Sequence, residues 1–273
     1  MKVIILDVRD ILTKLLRREI SIEEAESLVK LTAIEEIDEI AKLDINRYLR
    51  RGIPEIVLAE GKSSEDLSKI IIKALERSSR VILSRVNNEQ LDFIQRNIPN
   101  NVVTKVNKKA RMVVIKKKDF LFKPYGGKVG ILAAGTSDIP VAEEARIIAE
   151  EMGCIVSVAY DVGVAGLHRL LPPLKEMVQK DVDIIIVVAG REGALPSVVG
   201  GLVDAPVIGV PTSIGYGLGG KGIGALMAML QACPLGIAVV NIDGGVAAGA
   251  IAALIANQIA KARKLSETLS DTI

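Results

Sequence analysis

The chain has 273 residues, of which 49% are hydrophobic and 25% are charged, a composition that is typical of globular proteins and excludes a disordered chain. Its two cysteines, Cys154 and Cys233, are too few for a disulfide framework, and no signal-peptide pattern follows Met1. We therefore expect a protein of the reducing cytoplasm rather than a secreted one.

The two halves of the chain differ in charge and in glycine content. Residues 1–125 carry 25 basic and 19 acidic side chains, whereas residues 126–273 carry 10 and 14. Of the 24 glycines, 22 follow Tyr125, where we expect tight turns or a close approach of the backbone to a ligand. The Pro/Gly cluster at residues 123–127 predicts a boundary between an N-terminal domain of residues 1–125 and a C-terminal domain of residues 126–273.

The N-terminal domain is predicted to be a small α+β domain. Apolar residues recur at helical spacing through residues 11–20 and 22–43, which predicts that residues 1–50 form packing helices. Strands and helices then alternate, with strands at residues 53–60, 80–86 and 110–118, a helix capped by Ser64 that ends at Arg77, and a helix from Asn88.

A basic stretch at residues 105–118 invites a nucleic-acid interpretation, because cations pair with phosphates. However, no aromatic side chains interleave with these charges, and only 3% of the chain is aromatic, so no platform for base stacking is present. We interpret the stretch as a solvated face or as a funnel for a phosphorylated small molecule, and we expect no nucleic-acid partner.

The C-terminal domain alternates short apolar runs with segments of helical character. Such runs are typical of buried parallel strands, and right-handed crossovers between them give an open three-layer α/β/α sheet whose ligands bind beyond the carboxyl ends of the strands. The five runs are residues 129–135, 155–162, 183–190, 206–212 and 236–242. The loops that follow them are therefore the candidate functional segments.

The apolar stretch at residues 223–242 has about the length of a membrane span. It is interrupted by Gln231, Pro234 and Asn241, which suit a buried helix-to-strand junction better. We expect no membrane association.

The first candidate loop contains Gly135, Thr136, Ser137 and Asp138 at the start of a predicted helix. Helix N-termini attract phosphates, and equally Ser137 or Asp138 could simply cap the helix. No GxGxxG or Walker pattern occurs in this loop, so it carries neither a dinucleotide-fold fingerprint nor a nucleoside-triphosphate loop.

His168 is the only histidine of the chain, so a metal site with several histidines is excluded. Its place after a strand end, beside Arg169, suits a ligand or proton-transfer role as well as a structural one. Cys233 follows an apolar helix, whose C-terminus disfavours a thiolate. The thiol would therefore need a cationic neighbour, such as Lys221, Arg169 or Arg191, or a cationic substrate.

Together these segments resemble the AIR carboxylase (PurE) family of purine biosynthesis. Residues 135–138 resemble its G-S-x-S-D loop, the surroundings of His168 and Arg169 resemble S-A-H-R-T-P, and residues 231–236 resemble Q-M-P-x-G. The chain is still more similar to the related LarB family, through AGTSDIPVAEEA, YDVGVAGLHRL, EGALPSVVGGLVDAPVI, VPTSIGYG, VVNID and the N-terminal segment of residues 43–66. The resemblance places Cys233 where LarB has its cysteine and PurE has methionine.

This resemblance implies an enzyme, a carboxylase and hydrolase of nickel-pincer cofactor biosynthesis. It implies carboxylation of nicotinic acid adenine dinucleotide by CO2 or bicarbonate, through a transient cysteine adduct, and cleavage of the phosphoanhydride to AMP and pyridinium-3,5-biscarboxylic acid mononucleotide. It also implies a homo-oligomer, expected to be an octamer. The apolar positions at residues 226–230 and 246–262 exceed what one sheet face needs, which favours subunit contacts.

The resemblance also assigns roles to residues. Cys233 is the expected nucleophile, and Ser137, Asp138, His168 and Arg169 are expected to hold phosphate and ribose. Glu192 is a candidate acid or base, a magnesium ligand or a helix-entry carboxylate, and Asp161 and Asp243 are magnesium ligands or turn-forming carboxylates. The complete expectation is catalytic Cys233, Glu192 and His168; substrate-binding Gly135, Thr136, Ser137, Asp138, Asp161, Arg169, Gly190, Gly193, Pro196, Thr212, Asn241 and Asp243; magnesium on Glu192 and Asp243; and no tightly bound organic cofactor.

The chain departs from the LarB pattern at several positions. Arg191 replaces a usual methionine, QACP replaces NSCA, and Gly244 and Val246 replace an asparagine and a phenylalanine near the expected ring site. These changes could alter the choice of substrate. AIR carboxylation is therefore one alternative, because an aminoimidazole is already an enamine and needs no thiol, and a non-catalytic protein that binds a phosphorylated ligand is another.

Overall fold

The computed structural model describes residues 8–32, 34–37, 41–44, 51–121 and 124–270. They form two compact units. The first contains the described residues up to Val106 together with Val113–Phe120, and the second contains Asn107–Met112 and the described residues from Leu121 onward.

The first unit is an α+β unit with a four-stranded mixed sheet in the order β3-β4-β6-β5, where β3 and β4 are parallel and β4 and β6 antiparallel. Leu67, Ile70, Leu83 and Ile115 belong to the core between this sheet and its helices. The elements are α1 (Val8–Leu16), α2 (Ile22–Thr32), β1 (Ile34–Ile37), β2 (Ala41–Asp44), β3 (Ile56–Leu58), α3 (Ser64–Arg77), β4 (Arg80–Ser84), α4 (Asn88–Asn97), β5 (Val102–Asn107) and β6 (Met112–Lys117).

The prediction of helices throughout residues 1–50 is wrong after Thr32. Ile34–Ile37 and Ala41–Asp44 pair as an antiparallel hairpin, β1 with β2. The prediction failed because segments of four residues are too short to separate strand periodicity from helix periodicity. Residues 1–7 and 45–50 lie outside the described residues, as does part of the LarB-like segment of residues 43–66.

One helix cap in this unit was predicted at the wrong residue, and one strand was missed. The cap of α3 is Ser63 rather than Ser64, since the Ser63 hydroxyl accepts a hydrogen bond from the Asp66 amide at 3.1 Å. β5 was not predicted, and with β6 it carries much of the basic stretch at residues 105–118. The helix from Asn88 is confirmed and begins with a capping box between Asn87 and Gln90.

The second unit confirms the predicted parallel α/β sheet. Its five strands are all parallel and lie in the order β11-β10-β9-β7-β8. The elements are β7 (Lys128–Ala133), α5 (Ile139–Glu151), β8 (Ile155–Ala159), α6 (Leu167–Gln179), β9 (Ile184–Ala189), α7 (Leu195–Gly200), β10 (Val207–Pro211), α8 (Ile223–Leu230), β11 (Ile237–Val239) and α9 (Gly245–Ser270). The predicted junction at residues 223–242 is α8 followed by β11.

Helices cover both faces of this sheet. Leu174 of α6, Val199 of α7 and Met229 of α8 share one apolar cluster with sheet residues. α5 and α9 pack against each other, and Gly245 and Gly249 permit their close approach, since a Cβ on either would lie 2.2 Å or 2.5 Å from a backbone oxygen of α5.

Among the described residues, one helix has the length and hydropathy of a membrane span, Gly245–Ser266 within α9. Half of that stretch is buried inside the unit, with Ala252, Ala253 and Ala256 fully covered. α9 therefore packs as a core helix of the α/β unit. Its exposed side carries Ile251, Ile255 and Ile259 in a stripe four residues apart.

Candidate active site

A cavity of about 580 Å³ lies at the carboxyl edge of the five-stranded sheet. In the strand order, β8 lies on one side of β7, whereas β9, β10 and β11 follow on the other side. The cavity therefore lies at the topological switch point, where open α/β sheets bind ligands. Its wall is formed by Ala134, Gly135, Ser137, Asp138, Asp161, Gly163, Val164, Ala165, Arg169, Ala189, Gly190, Arg191, Glu192, Ala194, Leu195 and Ile214.

The loop after β7 is organised by the buried carboxylate of Asp138. One oxygen accepts a hydrogen bond from the Gly135 amide at 2.9 Å, and the other accepts one from the Thr212 hydroxyl at 2.6 Å. Asp138 makes no side-chain cap to α5, so its carboxylate ties the loops after β7 and β10 together. Burial raises the pKa of Asp138 above its usual value, and the charge of Asp243 adds to this rise.

The loop after β8 contributes an ion pair to the cavity wall. The Arg169 guanidinium donates to the Asp161 carboxylate at 2.5 Å. Because both side chains are about half exposed, the pair adds little stability, but it orients a guanidinium toward the space in which an anion would lie.

The loop after β9 requires a glycine at its first position. A Cβ on Gly190 would lie 2.5 Å from both the Ile214 carbonyl oxygen and the Thr212 hydroxyl oxygen. The next residue, Arg191, donates its backbone N–H to the same Ile214 carbonyl at 2.9 Å. Arg191 and Glu192 are exposed and line the cavity.

The structure brings many of the predicted site residues together. Gly135, Ser137, Asp138, Asp161, Arg169, Gly190 and Glu192 all line the cavity. Thr212 and Asp243 lie just behind this wall. Thr212 holds Asp138, and the Asp243 carboxylate accepts the Ser213 amide at 2.8 Å.

Five other predicted residues are not part of the cavity wall. His168 and Thr136 are exposed, Gly193 and Pro196 are buried in packing, and the Asn241 side chain accepts the neighbouring Ile242 amide at 2.9 Å. Their predicted contacts with substrate stay predictions. His168 immediately precedes Arg169 on the first turn of α6, where adjacent side chains point about 100° apart.

Within a single chain, Cys233 does not reach the cavity. It is exposed and lies between the end of α8 and the start of β11. The Gly236 carbonyl accepts the Val207 amide at 3.0 Å, which places this segment at the amino edge of the sheet. A strand of five residues such as β10 separates the two edges by roughly 15 Å.

The cations considered as neighbours of the Cys233 thiol therefore do not lie beside it within one chain. Arg169 and Arg191 line the cavity at the carboxyl edge, and Lys221 precedes α8, whereas Cys233 follows it. Cys154 is a packing residue, because it is buried and this burial raises the pKa of its thiol to about 12.

No group of three or more His, Cys, Asp or Glu side chains in the described part of the chain is arranged to hold a metal ion. Magnesium commonly uses one or two carboxylates together with substrate phosphates. The exposed carboxylate of Glu192 fits that role, whereas Asp243 does not line the cavity.

Several wall residues lie in the predicted candidate loops but were not individually predicted, among them Gly163, Val164, Ala165, Ala194, Leu195 and Ile214. All lie in loops that follow the carboxyl ends of strands, or in the first turn after such a loop. The switch-point rule selects their loops, but their small or apolar side chains carry no chemical signal that would single them out.

Comparison with known proteins gives matches for both halves of the chain. The sequence model described as AIR carboxylase matches residues 128–272, and the one described as LarB/PurE-like N-terminal domain matches residues 34–118. An uncharacterized protein of Methanocaldococcus jannaschii is 50% identical over 252 residues, which are 92% of this chain and 97% of that protein.

Two N5-carboxyaminoimidazole ribonucleotide mutases are similar to a shorter part of the chain. The enzyme of Pyrococcus abyssi is 34% identical over 122 residues, 43% of this chain and 66% of that protein. The enzyme of Thermotoga maritima is 30% identical over 132 residues, 47% of this chain and 74% of that protein.

Proposed function

The chain belongs to the LarB family, a relative of the PurE-type AIR carboxylases, and from this premise we propose that it carboxylates the pyridinium ring of nicotinic acid adenine dinucleotide. CO2 or bicarbonate supplies the carbon. Hydrolysis of the phosphoanhydride then gives AMP and pyridinium-3,5-biscarboxylic acid mononucleotide for nickel-pincer cofactor biosynthesis in the cytoplasm. The observation that carries this proposal is the cavity at the switch point, whose wall combines an oriented Arg169 with the loop of Gly135, Ser137 and Asp138.

The chemistry requires a nucleophile because a pyridinium ring is electron-poor and does not attack CO2. A thiolate that adds to a ring carbon converts the ring into a dihydropyridine with enamine character. The β-carbon of that enamine forms the new C–C bond to CO2, a base removes the proton from the same carbon, and the thiolate leaves with its electron pair. The ring is aromatic again, and the thiolate is regenerated.

The residues of the cavity supply binding and orientation for this sequence. Arg169, held by Asp161, binds a phosphate, and Ser137 of the one-turn 3-10 helix Thr136–Asp138 lies at the same wall. Glu192 has an exposed carboxylate there, which suits it as the base that takes the ring proton or as a magnesium ligand. Magnesium, when bound, would neutralise the charge of the phosphoanhydride.

The place of Cys233 makes assembly part of the proposal. Because the thiol lies at the amino edge of its own sheet, it serves the cavity of another copy. We therefore propose a homo-oligomer, the octamer that the family resemblance implies, in which Cys233 of the partner subunit completes each site. The surface around Cys233 supports such a contact, since Met227, Leu230 and Leu235 are exposed by 54%, 62% and 94%.

The activity test incubates the purified protein with nicotinic acid adenine dinucleotide, bicarbonate and magnesium, and detects products by mass spectrometry. We expect a carboxylated mononucleotide and AMP from the wild type and from Cys154→Ser, the matched control with a buried thiol. Cys233→Ser is expected to form neither. No product from the wild type, or equal product from Cys233→Ser, would contradict the thiol mechanism, and turnover of aminoimidazole ribonucleotide instead would support the AIR carboxylase alternative.

A mixing experiment tests the shared site. Cys233→Ser and Arg169→Ala chains, each expected to be inactive alone, are co-expressed with different tags and purified as mixed oligomers. If the thiol and the phosphate site come from different copies, some sites in the mixture contain both intact groups, and activity returns. If one chain supplied both groups, the mixture would stay inactive.

A further inference from the structure

A second cavity adjoins the one already described. It has a volume of about 440 Å³, and it shares Arg191 and Glu192 with the first cavity as a common wall. Tyr216, Gly219, Gly224 and Ala228 complete its wall. Together the two cavities, which meet at Arg191, offer more volume than a mononucleotide would fill.

Arg191 stands at the junction with its charge available. Its guanidinium lies 4.7 Å from the centroid of the Tyr216 ring, a distance typical of cation–π stacking. In the described chain no carboxylate forms an ion pair or hydrogen bond with this guanidinium, whereas Arg169, the other arginine in the wall, is paired with Asp161. The stacked arginine is thus oriented while its N–H donors remain free for a ligand.

Two glycines, Gly219 and Gly224, form part of the wall of the second cavity. A Cβ on Gly224 would lie 3.0 Å from the Cα of Gly219, so the two backbones are in close contact and carry no side chains there. Both glycines line the same cavity as Tyr216, whose ring stacks with Arg191. A wall without side chains leaves room for a nucleobase beside this aromatic ring.

We propose that Arg191 binds the diphosphate of a dinucleotide, with one nucleotide in the first cavity and the second nucleoside in the cavity of Tyr216, Gly219 and Gly224. The identity of that dinucleotide rests on the proposed function. The binding mode is specific to this chain, because the methionine usual at position 191 in the resembling family has no charge for a phosphate. Tyr216 orients the guanidinium and is a positioning residue.

The test is calorimetric titration of the full-length protein without bicarbonate, using nicotinic acid adenine dinucleotide and nicotinic acid mononucleotide as separate ligands. Arg191→Met is expected to weaken dinucleotide binding about 10- to 100-fold, the range for lost charge-assisted hydrogen bonds. Its affinity for the mononucleotide should change by less than about threefold, because that ligand occupies the first cavity alone. Arg191→Lys should lie between, since it keeps the charge but loses the planar stack.

Lys175→Met, which removes an exposed cation from α6 outside both cavities, is the matched control and should bind both ligands like the wild type. Circular dichroism verifies the folding of each variant. Equal weakening for both ligands, unchanged dinucleotide binding in Arg191→Met, or no dinucleotide binding by the wild type would overturn the inference. Selective weakening without any carboxylated product from the wild type would instead refute the proposed function and leave the binding mode intact.

Discussion

The carboxylate of Glu143 on α5 receives four hydrogen bonds inside the second unit. Arg146 donates two, at 2.6 Å and 2.7 Å, and the Tyr160 hydroxyl and the Asn107 amide donate one each. The Glu143 side chain is only 10% exposed. Replacement by glutamine removes the charge and puts an N–H₂ group where a donor now points, so Glu143→Gln should destabilise this unit.

The magnitude follows from the pKa of this carboxyl group. Burial raises it, but the bonds from Arg146, Tyr160 and Asn107 outweigh burial and lower the pKa from 4.5 to about 2. A fall of about 2.5 pKa units corresponds to on the order of 3 kcal/mol of stability. Since the pKa of the folded state lies below that of the unfolded state, this contribution is complete above about pH 5 and is lost as the pH falls toward 2.

Urea denaturation followed by circular dichroism at fixed protein concentration measures the effect. At pH 7 Glu143→Gln should lose about 2–3 kcal/mol in the free energy of unfolding. Glu150→Gln is the matched control, because Glu150 pairs with the same arginine at 2.6 Å but is 34% exposed, and it should lose less than about 1 kcal/mol. Between pH 5 and pH 3 the wild type should lose more stability than Glu143→Gln. Equal losses in the two variants, or parallel pH profiles, would refute the reasoning.

Three further predictions concern the site and the thiols. Gly190→Ala places a Cβ 2.5 Å from two oxygens of the β10 loop and should lower the melting temperature by about 5 °C or more, whereas Gly201→Ala, with 3.6 Å to its nearest atom, should not. Thr212→Val removes the donor to a buried carboxylate and should cost about 1–3 kcal/mol in urea denaturation, with Thr212→Ser close to wild type. Iodoacetamide at pH 8 should label exposed Cys233 at least about tenfold faster than buried Cys154, as peptide mass spectrometry would show; equal rates would contradict the burial.

The parallel sheet could be predicted because a strand that is buried on both faces is apolar at nearly every position. All six residues of β9 and all five of β10 are buried, and each strand is a continuous apolar run. The N-terminal hairpin β1–β2 has only four residues in each strand. A window that short does not separate helical from strand periodicity, so the sequence favoured the wrong element there.

The location of the cavity was also predictable, but which loop side chains face it was not. Parallel strands bring their carboxyl ends to one edge, and this alone gathers Gly135, Asp161 and Gly190. Whether a loop residue faces the cavity depends on backbone details that spacing does not encode. Gly193 lies in the same loop as Gly190, and Pro196 lies in the first turn of α7; both are buried in packing, while Ile214 reaches the wall from the neighbouring loop.

Cys233 shows where topology and family resemblance give different information. The carboxyl-end rule excludes it, because it lies four positions before the start of β11, at the opposite edge of the sheet. The resemblance includes it, because it matches a catalytic position without reference to which chain supplies the thiol. The carboxyl-end rule and the resemblance agree when the phosphate site and the thiol lie at opposite edges of the sheet and meet across two subunits. In the proposed assembly, each subunit would bind phosphate at one edge and present a thiol at the other, so ring activation would depend on assembly, whereas phosphate binding by Arg169 would not.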